Sequence, residues 1–532
     1  MTAGGRPAIV VAATPTSNGD LHVGHMAGPY LAGDVYSRYL AATGRPVIYT
    51  TCTDDSQSYV ITTAHRKGVP PERLCATSTE AIERTLTAMG ISMAGLPPID
   101  DRYRETVREF FTALHQAGRL RLRTVRLPYA NGAFLYDGLL TGTCPVCLGG
   151  SSGGVCEGCG HPNNFDELLD PRSTLDPDAP VTFREQTILV LPMEEYRDRL
   201  TGYFAAREGR WRPHGMQLIR ELLDRPLPDI PVTFPGTWGV AAPFPETPGQ
   251  ILYPWVEAMP AVMYSTWWSA AQRGERAETA DEHWRAEHGA ELVYFHGFDN
   301  VYHWGLLDLV LLMAHGDRYV LPEVNVCNEF YELEGQKFST SRDHLIWTAD
   351  LLAEVPRDLV RFHLALTAPE YQRTDFSVAA LREVTTRRLV EPWNALADAL
   401  WLVSAGAGDA PLPTSETGRR RAELLIERVR LGYELPSLTR VADTIAGRLD
   451  GLAEEAAAAT DGDPAALGDL FLQVRALLAC AAPILIDVAA EAADAGVDLG
   501  LTAAQPAEID AFTLPRLRTA DVGETTGVRA GA

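Results

Sequence analysis

Short apolar runs alternate with helical stretches along the chain, a pattern that predicts a parallel sheet. Residues 7–14, PAIVVAAT, form an apolar run closed by Pro15, Asn18 and Gly19, as in a buried strand entering a turn. From His25 to about Thr43 apolar residues recur at helical spacing until Gly44, and PVIYTTCTDD reads as the next strand. This β-α-β unit begins a doubly wound sheet. A second unit lies far downstream, with ELVYFHGFD as strand, NVYHWGLLDLVLLMAHG as helix and EVNVCNEFYELEGQKFSTS as strand and loop. After about residue 380, long Ala/Leu/Arg/Glu-rich segments predict a helical bundle with a loop, SAGAGDAPLPTSETG, at 404–418. There is no internal repeat.

A chain of 532 residues exceeds a single compact core, so two or three domains are expected. No stretch of eighteen apolar residues runs without a charge, which argues against a membrane partner. The N-terminal segment MTAGGRPAIVVAATPT lacks a basic region ahead of a cleavable apolar stretch, so a cytoplasmic location is expected. The net charge of −24 opposes nonspecific adhesion to phosphate backbones, although one basic groove could still hold nucleic acid. Lysine occurs only as Lys67 and Lys337.

Four of the eight cysteines form two pairs, Cys144-Pro-Val-Cys147 and Cys156-Glu-Gly-Cys159, joined by a short Gly/Ser-rich loop. Four thiolates so spaced predict a closed, structural zinc site. Cys52, Cys75, Cys327 and Cys480 are scattered and read as small core residues. His22 and His25 stand three apart at a strand-to-helix turn, where a helix N-terminus favours anions. Taken alone, the pair fits a metal site, a structural pair or a phosphate contact. The loop Lys337-Phe338-Ser339-Thr340-Ser341 after the second half-sheet favours phosphate, because the two segments can close on a triphosphate from opposite sides.

His22-Val23-Gly24-His25 and KFSTS resemble the HIGH and KMSKS motifs of class I aminoacyl-tRNA synthetases. Across roughly residues 6–400 the chain is similar to the methionyl-tRNA synthetase family. TPTSNGDLHVGH resembles that family's LPYANGxxHxGH, TCTDD its TGTDE, YPWVEA its YVWLDA, and GFDNVYHW its GKDIxxFH. The resemblance implies that His22, His25 and Lys337 stabilise the pentavalent phosphorus as a carboxylate attacks the α-phosphate of ATP. It further implies ATP contacts from Asn18, Gly19, Gly24, Gly297, Asp299, Ser339 and Ser341, with Asp299 on the ribose hydroxyls. Asp54 would hold the substrate α-ammonium, and Thr14, Thr16, Trp255, Ala258, His303, Trp304 and Asp308 would line the amino-acid site. ATP, Mg2+ and a structural Zn2+ are the implied cofactors.

The expected fold is therefore α/β, a Rossmann-type split catalytic domain with a zinc-knuckle insertion and a C-terminal α-helical bundle. Its parts are the first half of the catalytic domain (1–120), the insertion (121–230), the second half with the KMSKS-like loop (231–345), a stem (346–385), the bundle (386–518) and a disordered tail (519–532).

Departures from the family cluster at working positions. Thr14 and Thr16 replace the Leu and Tyr that touch methionine, and Ala258-Met259-Pro260-Ala261-Val262 lacks an aromatic wall. An ungapped alignment puts His303, Trp304 and Asp308 where the family has Phe, His and Trp, and α-helical spacing puts Asn300, Trp304 and Asp308 on one face. Asp308 is read either as a pocket residue or as a carboxylate that is solvated or paired with an internal arginine. Thr340 stands at the second KMSKS lysine, followed by Arg342, and Phe234 stands at the family's arginine before Trp238-Gly239. In EPWNALADAL, Asn394 is followed by Asp398 where the family's anticodon-reading arginine is expected, and between Leu449 and the closing arginines Arg516 and Arg518 the only basic residue is Arg475.

Three functions compete on these features. The first is ATP-dependent amino-acid activation with transfer to a small-molecule acceptor, tRNA being an unlikely partner. Similarity to synthetase-like enzymes of secondary metabolism implies an N-hydroxylated amine such as N6-hydroxylysine as acceptor, with a cupin partner protein completing a hydrazine-forming N–N bond. The second is methionyl-tRNA synthesis, and the third a noncatalytic binding protein.

Overall fold

The computed structural model describes residues 5–163, 166–338, 344–408, 410–459, 463–501 and 504–520. Four parallel strands form its central sheet: β1 (Ala8–Ala12), β2 (Val47–Thr50), β3 (Glu291–Gly297) and β4 (Pro322–Asn328), in the order β4-β3-β1-β2. β1 is buried along its whole length, as an apolar strand covered on both faces must be. It pairs with β3 at Ala12↔Phe295 and with β2 at Val11↔Thr50, so the two sequence-distant halves share one sheet. The carboxyl ends of β1 and β3 adjoin while their connections lead to opposite edges, which opens a crevice above them.

Neither crossover is the regular helix that periodicity predicts. After β1 the chain makes one α-turn at Val23–His25, a π-helical stretch at Met26–Tyr30, and then helix α1 at Leu31–Ala42. Pro29 lacks an N–H and Gly28 leaves helical geometry (φ −85°, ψ −121°), which forces the irregular turn. After β3 comes a π-helix at Val301–Leu307, then an α-helix at Asp308–Ala314.

The insertion is built on a long antiparallel pair, Arg121–Ala130 with Thr182–Pro192, that carries the cysteine hairpins between its strands. The C-terminal region is helical, with its main helices at Glu391–Ala407, Glu416–Glu434, Leu438–Ala458 and Pro464–Ala481. Pro464–Ala481 is long and apolar enough by composition to cross a membrane, yet 72% of it is buried inside the protein, as suits a core helix. The segment read as a loop at 404–418 is shorter than expected. The preceding helix runs to Ala407, and Leu412–Pro413 pairs with Glu508–Ile509.

A buried ion pair joins catalytic half, stem and bundle. Arg361 meets Asp34 at 2.7 Å, both side chains fully buried, and also donates to the carbonyls of Met89, Pro483 and Ile484. Ala520 is buried against the core, and the tail from 521 lies outside the described residues. Cys52, Cys75, Cys327 and Cys480 are buried.

Candidate active site

The loop leaving β1 is tied to the loop leaving β2. Thr16 bridges to Asp54, and the Asp54 amide donates to the Pro15 carbonyl at 2.9 Å. Thr14, Thr16, Asn18 and Gly19 are half-buried along this loop, with the Asn18 amide bonded to the Thr16 carbonyl at 2.8 Å. His22 caps the following turn, its Nδ1 accepting from the His25 amide at 3.3 Å. The turn is pinned to the segment after the KFSTS loop by Val23 N–H to Ile346 C=O at 2.9 Å and by a bridge between His22 and Trp347. Gly24 is required by close packing, since a Cβ there would lie 3.0 Å from Phe338 and 3.1 Å from the His22 ring.

His22 is buried between two rings, with His25 stacked at 3.6 Å and Phe338 at 4.9 Å between centroids. His25 is the more exposed of the two. Burial, then the charge of His25, then that of Lys337 hold His22 well below the usual imidazole range, and burial followed by Lys337 brings His25 down to about 4. Both rings are therefore neutral near pH 7. Lys337 is paired with Glu157 of the knuckle and lies 4.4 Å from the Phe330 ring centroid. Its charge reaches Asp299 as well as the two histidines. Ser339, Thr340, Ser341 and Arg342 lie outside the described residues.

Asp299 follows β3, takes a 3.1 Å hydrogen bond from Asn300, and has its carboxyl raised by burial against the opposing pull of Lys337. A Cβ on Gly297 would stand 2.7 Å from the Asp299 carboxylate, so glycine lets that side chain fold back over the strand end.

Across the crevice Asp54 is buried and accepts from Gln57 at 2.9 Å. Its carboxyl is raised well above the ordinary range, first by burial and then by Glu257. Sequence reasoning passed over two of its acidic neighbours. Glu257 takes hydrogen bonds from Ser56 (3.0 Å) and Tyr103 (2.7 Å), and burial lifts it to about 7. Asp137 accepts from Tyr253 at 2.7 Å and is likewise lifted by burial to about 7, with Tyr253 and the Trp255 indole opposing the shift. Glu257 lies within the quoted YPWVEA motif, a signal that was available, whereas Asp137 reaches the site only through the fold.

Trp255 lies flat on His303, centroids 3.6 Å apart and planes 2° from parallel, with Ala258 half-buried on the same helix, Pro254–Gln272. Trp304 and Asp308 are buried. The expectation that Asn300, Trp304 and Asp308 share one face assumed α-helical turns. The π-helix, bonded i→i+5, instead brings His303 toward register with Asp308. Among the described residues Asp308 is paired with no arginine, and it is not solvated, being 1% exposed with both oxygens unpartnered. Glu257 Oε2, Gln57 Oε1, Asp55 Oδ1 and His303 Nδ1 are also buried without partners. Unsatisfied buried polar atoms are costly, so each calls for a partner such as a ligand, an ion or a water.

The four knuckle sulfurs lie within 4.8 Å of one another, with Cys144–Cys159 at 3.8 Å and Cys147–Cys156 at 3.6 Å. Thiolates about 2.3 Å from a tetrahedral zinc stand about 3.8 Å apart, so this donor set fits a structural zinc with no open position.

In the bundle, Asn394 is occupied: its Nδ2 donates to the Leu517 carbonyl at 3.0 Å and its Oδ1 accepts from the Leu517 amide at 2.9 Å. Trp393 donates to Pro515 at 2.8 Å, and Asp398 pairs with Arg516. Arg475 is buried against Asp498, Gly500 and Gln505.

The family model described as tRNA synthetases class I (M) matches residues 8–399. A methionine–tRNA ligase of Chlorobium limicola is 31% identical over 397 residues, covering 72% of this chain and 56% of that protein. One of Flavobacterium johnsoniae is 30% identical over 412 residues, covering 76% and 57%. The chain thus spans a little over half the length of the curated relatives it matches. Among solved structures, a methionyl-tRNA synthetase of Mycobacterium tuberculosis bound by methionyl-adenylate superposes with a TM-score of 0.74 at 17% identity, over 97% of this chain and 100% of that one. Motifs, split sheet and family match agree: the chain belongs to the class I tRNA synthetases of the M group.

Proposed function

We propose that the protein activates an amino acid with ATP, forming an aminoacyl-adenylate and pyrophosphate. What supports this reading is that His22, His25, Lys337 and Asp299 lie within reach of one another's charge, while Asp54 lies among Glu257, Asp55 and Asp137. The acidic side suits the α-ammonium, which Asp54 would receive. Asp299 would accept the ribose hydroxyls, beside backbone from Asn18, Gly19, Gly24 and Gly297. Held between them, the substrate carboxylate attacks the α-phosphorus, the bond to the β-phosphate oxygen breaks, and pyrophosphate leaves. The neutral histidines donate N–H groups to the phosphates, and Lys337, released from Glu157, adds a positive charge as negative charge builds on the leaving group. Magnesium carried by the triphosphate supplies further charge neutralisation. A cytoplasmic setting accords with this reading.

For the acceptor, we read transfer to a small nucleophile rather than to tRNA. Asn394 and Asp398 are engaged by the chain's own C-terminal segment, and the arginine expected near them is missing. An N-hydroxylated amine and a cupin partner remain inferences from resemblance, and the comparisons lend them no support. The second reading, methionyl transfer to tRNA, is favoured by the names of the curated relatives. Amino-acid-dependent release of pyrophosphate from ATP tests the activation step. Its absence with every amino acid would leave a noncatalytic binding protein.

A further inference from the structure

Asp308 is a carboxylate in an otherwise apolar place. It opens the helix Asp308–Ala314, whose residues are all buried, and neither of its oxygens has a hydrogen-bond partner among the described residues. Burial raises its carboxyl, and among the described residues no cationic side chain offsets the effect. Isolated carboxylates are rarely tolerated in a core, because desolvation costs several kcal/mol unless a cation or donor compensates.

Its surroundings link it to Trp255 and His303, residues read as the amino-acid site. Trp255 and His303 are stacked at 3.6 Å. Met259 lies one helical turn below Trp255, and its sulfur is 3.6 Å from the Tyr294 hydroxyl. Tyr294 stands edge-on to Trp304 at 5.2 Å and is close enough to Asp308 for the carboxylate to raise its phenol. Met259, Tyr294 and Trp304 thus form a contact chain that reaches Asp308, whose own amide bonds back to the His303 carbonyl.

We propose that Asp308 is the floor of the side-chain pocket and receives a cationic nitrogen, so that the amino acid activated is a basic one rather than a thioether or hydrocarbon one. This inference rests on the amino-acid site described under Proposed function. An amine or guanidinium would supply the missing counter-charge and hydrogen bonds, while Trp255, His303 and Met259 would cover the aliphatic stem. The unpartnered Nδ1 of His303 offers a further polar contact on the way down.

The test is isothermal titration calorimetry of the full chain with ornithine, lysine, arginine, methionine and norleucine, alongside ATP–pyrophosphate exchange with the same panel. At least one basic amino acid should bind about 10²-fold or more tightly than norleucine, the scale set by leaving a buried polar group unpaired. Asp308→Asn should erase most of that preference, and Asp308→Leu should reverse it. Asp308→Asn is nearly isosteric, so a misfolded leucine variant still leaves the preference testable. Binding of norleucine or methionine as tightly as any basic amino acid, or a preference unchanged in Asp308→Asn, would overturn the inference. Selective binding of a basic amino acid without exchange would support the pocket assignment and overturn the adenylation reading instead.

Discussion

The rings of His22 and His25 lie one on the other, centroids 3.6 Å apart and planes 16° from parallel. Two imidazolium ions cannot share that stack, and Lys337 nearby makes protonation harder still. The pH dependence follows from the sign of the shift. In the unfolded chain His25 takes a proton near 6.5, whereas in the fold it does so only near 4. Above 6.5 the pair contributes no pH dependence. As pH falls from 6.5 toward 4, the unfolded state gains a proton that the folded state refuses, so stability declines through that window. Urea denaturation at pH 7.5 and 5 should show a smaller decline in His25→Asn than in the natural sequence; equal declines would refute the assignment.

Lys337 is held in reserve by Glu157, a knuckle residue with no role in the family resemblance. The two side chains are 40% and 58% exposed, so the pair is worth at most about 1 kcal/mol. Glu157→Gln should therefore change the KM for ATP by less than about fivefold in pyrophosphate exchange. Lys337→Ala should slow exchange by about 10²–10³-fold, the usual effect of losing one electrostatic stabiliser, with amino-acid affinity little altered. An unaffected rate would remove Lys337 from the phosphate site.

Because Cys144, Cys147, Cys156 and Cys159 converge as a closed donor set, Cys144→Ser should lose bound zinc and destabilise the insertion. Metal analysis of purified protein should find one zinc per chain, falling toward zero in the variant. Folded, metal-free natural protein would contradict this.

What could be read from the sequence divides along physical lines. The split sheet was legible because strands buried on both faces are continuous apolar runs, as Ala8–Ala12 and the Leu292–Phe295 stretch of β3 are. The knuckle was legible because its ligands lie close together in the chain. The π-helix at Val301–Leu307 was not, since a segment buried throughout shows no alternation of exposed and buried positions to distinguish i→i+5 from i→i+4 bonding. Asp137 and Glu157 were missed for another reason: each joins the site only when the insertion folds back, against Tyr253 in one case and Lys337 in the other. Asn394 was read from its position alone, and its pairing with Leu517 depends on a segment more than one hundred residues away.

That pairing yields a stability prediction. Asn394→Ala removes two hydrogen bonds and strands the Leu517 amide and carbonyl, at a cost of about 1–3 kcal/mol. Chemical denaturation should register the loss while pyrophosphate exchange stays unchanged. A variant as stable as the natural chain would mean that the C-terminal segment is not anchored there.

The central claim is adenylate formation with a destination other than tRNA, and one measurement addresses it most directly: ATP–pyrophosphate exchange across all amino acids, with and without bulk tRNA, followed by assay for acylated tRNA. The expected result is exchange supported by a particular amino acid, indifferent to tRNA and slowed by about 10²–10³-fold in Lys337→Ala, with no aminoacyl-tRNA formed. Exchange with no amino acid at all, or efficient methionylation of tRNA, would contradict it.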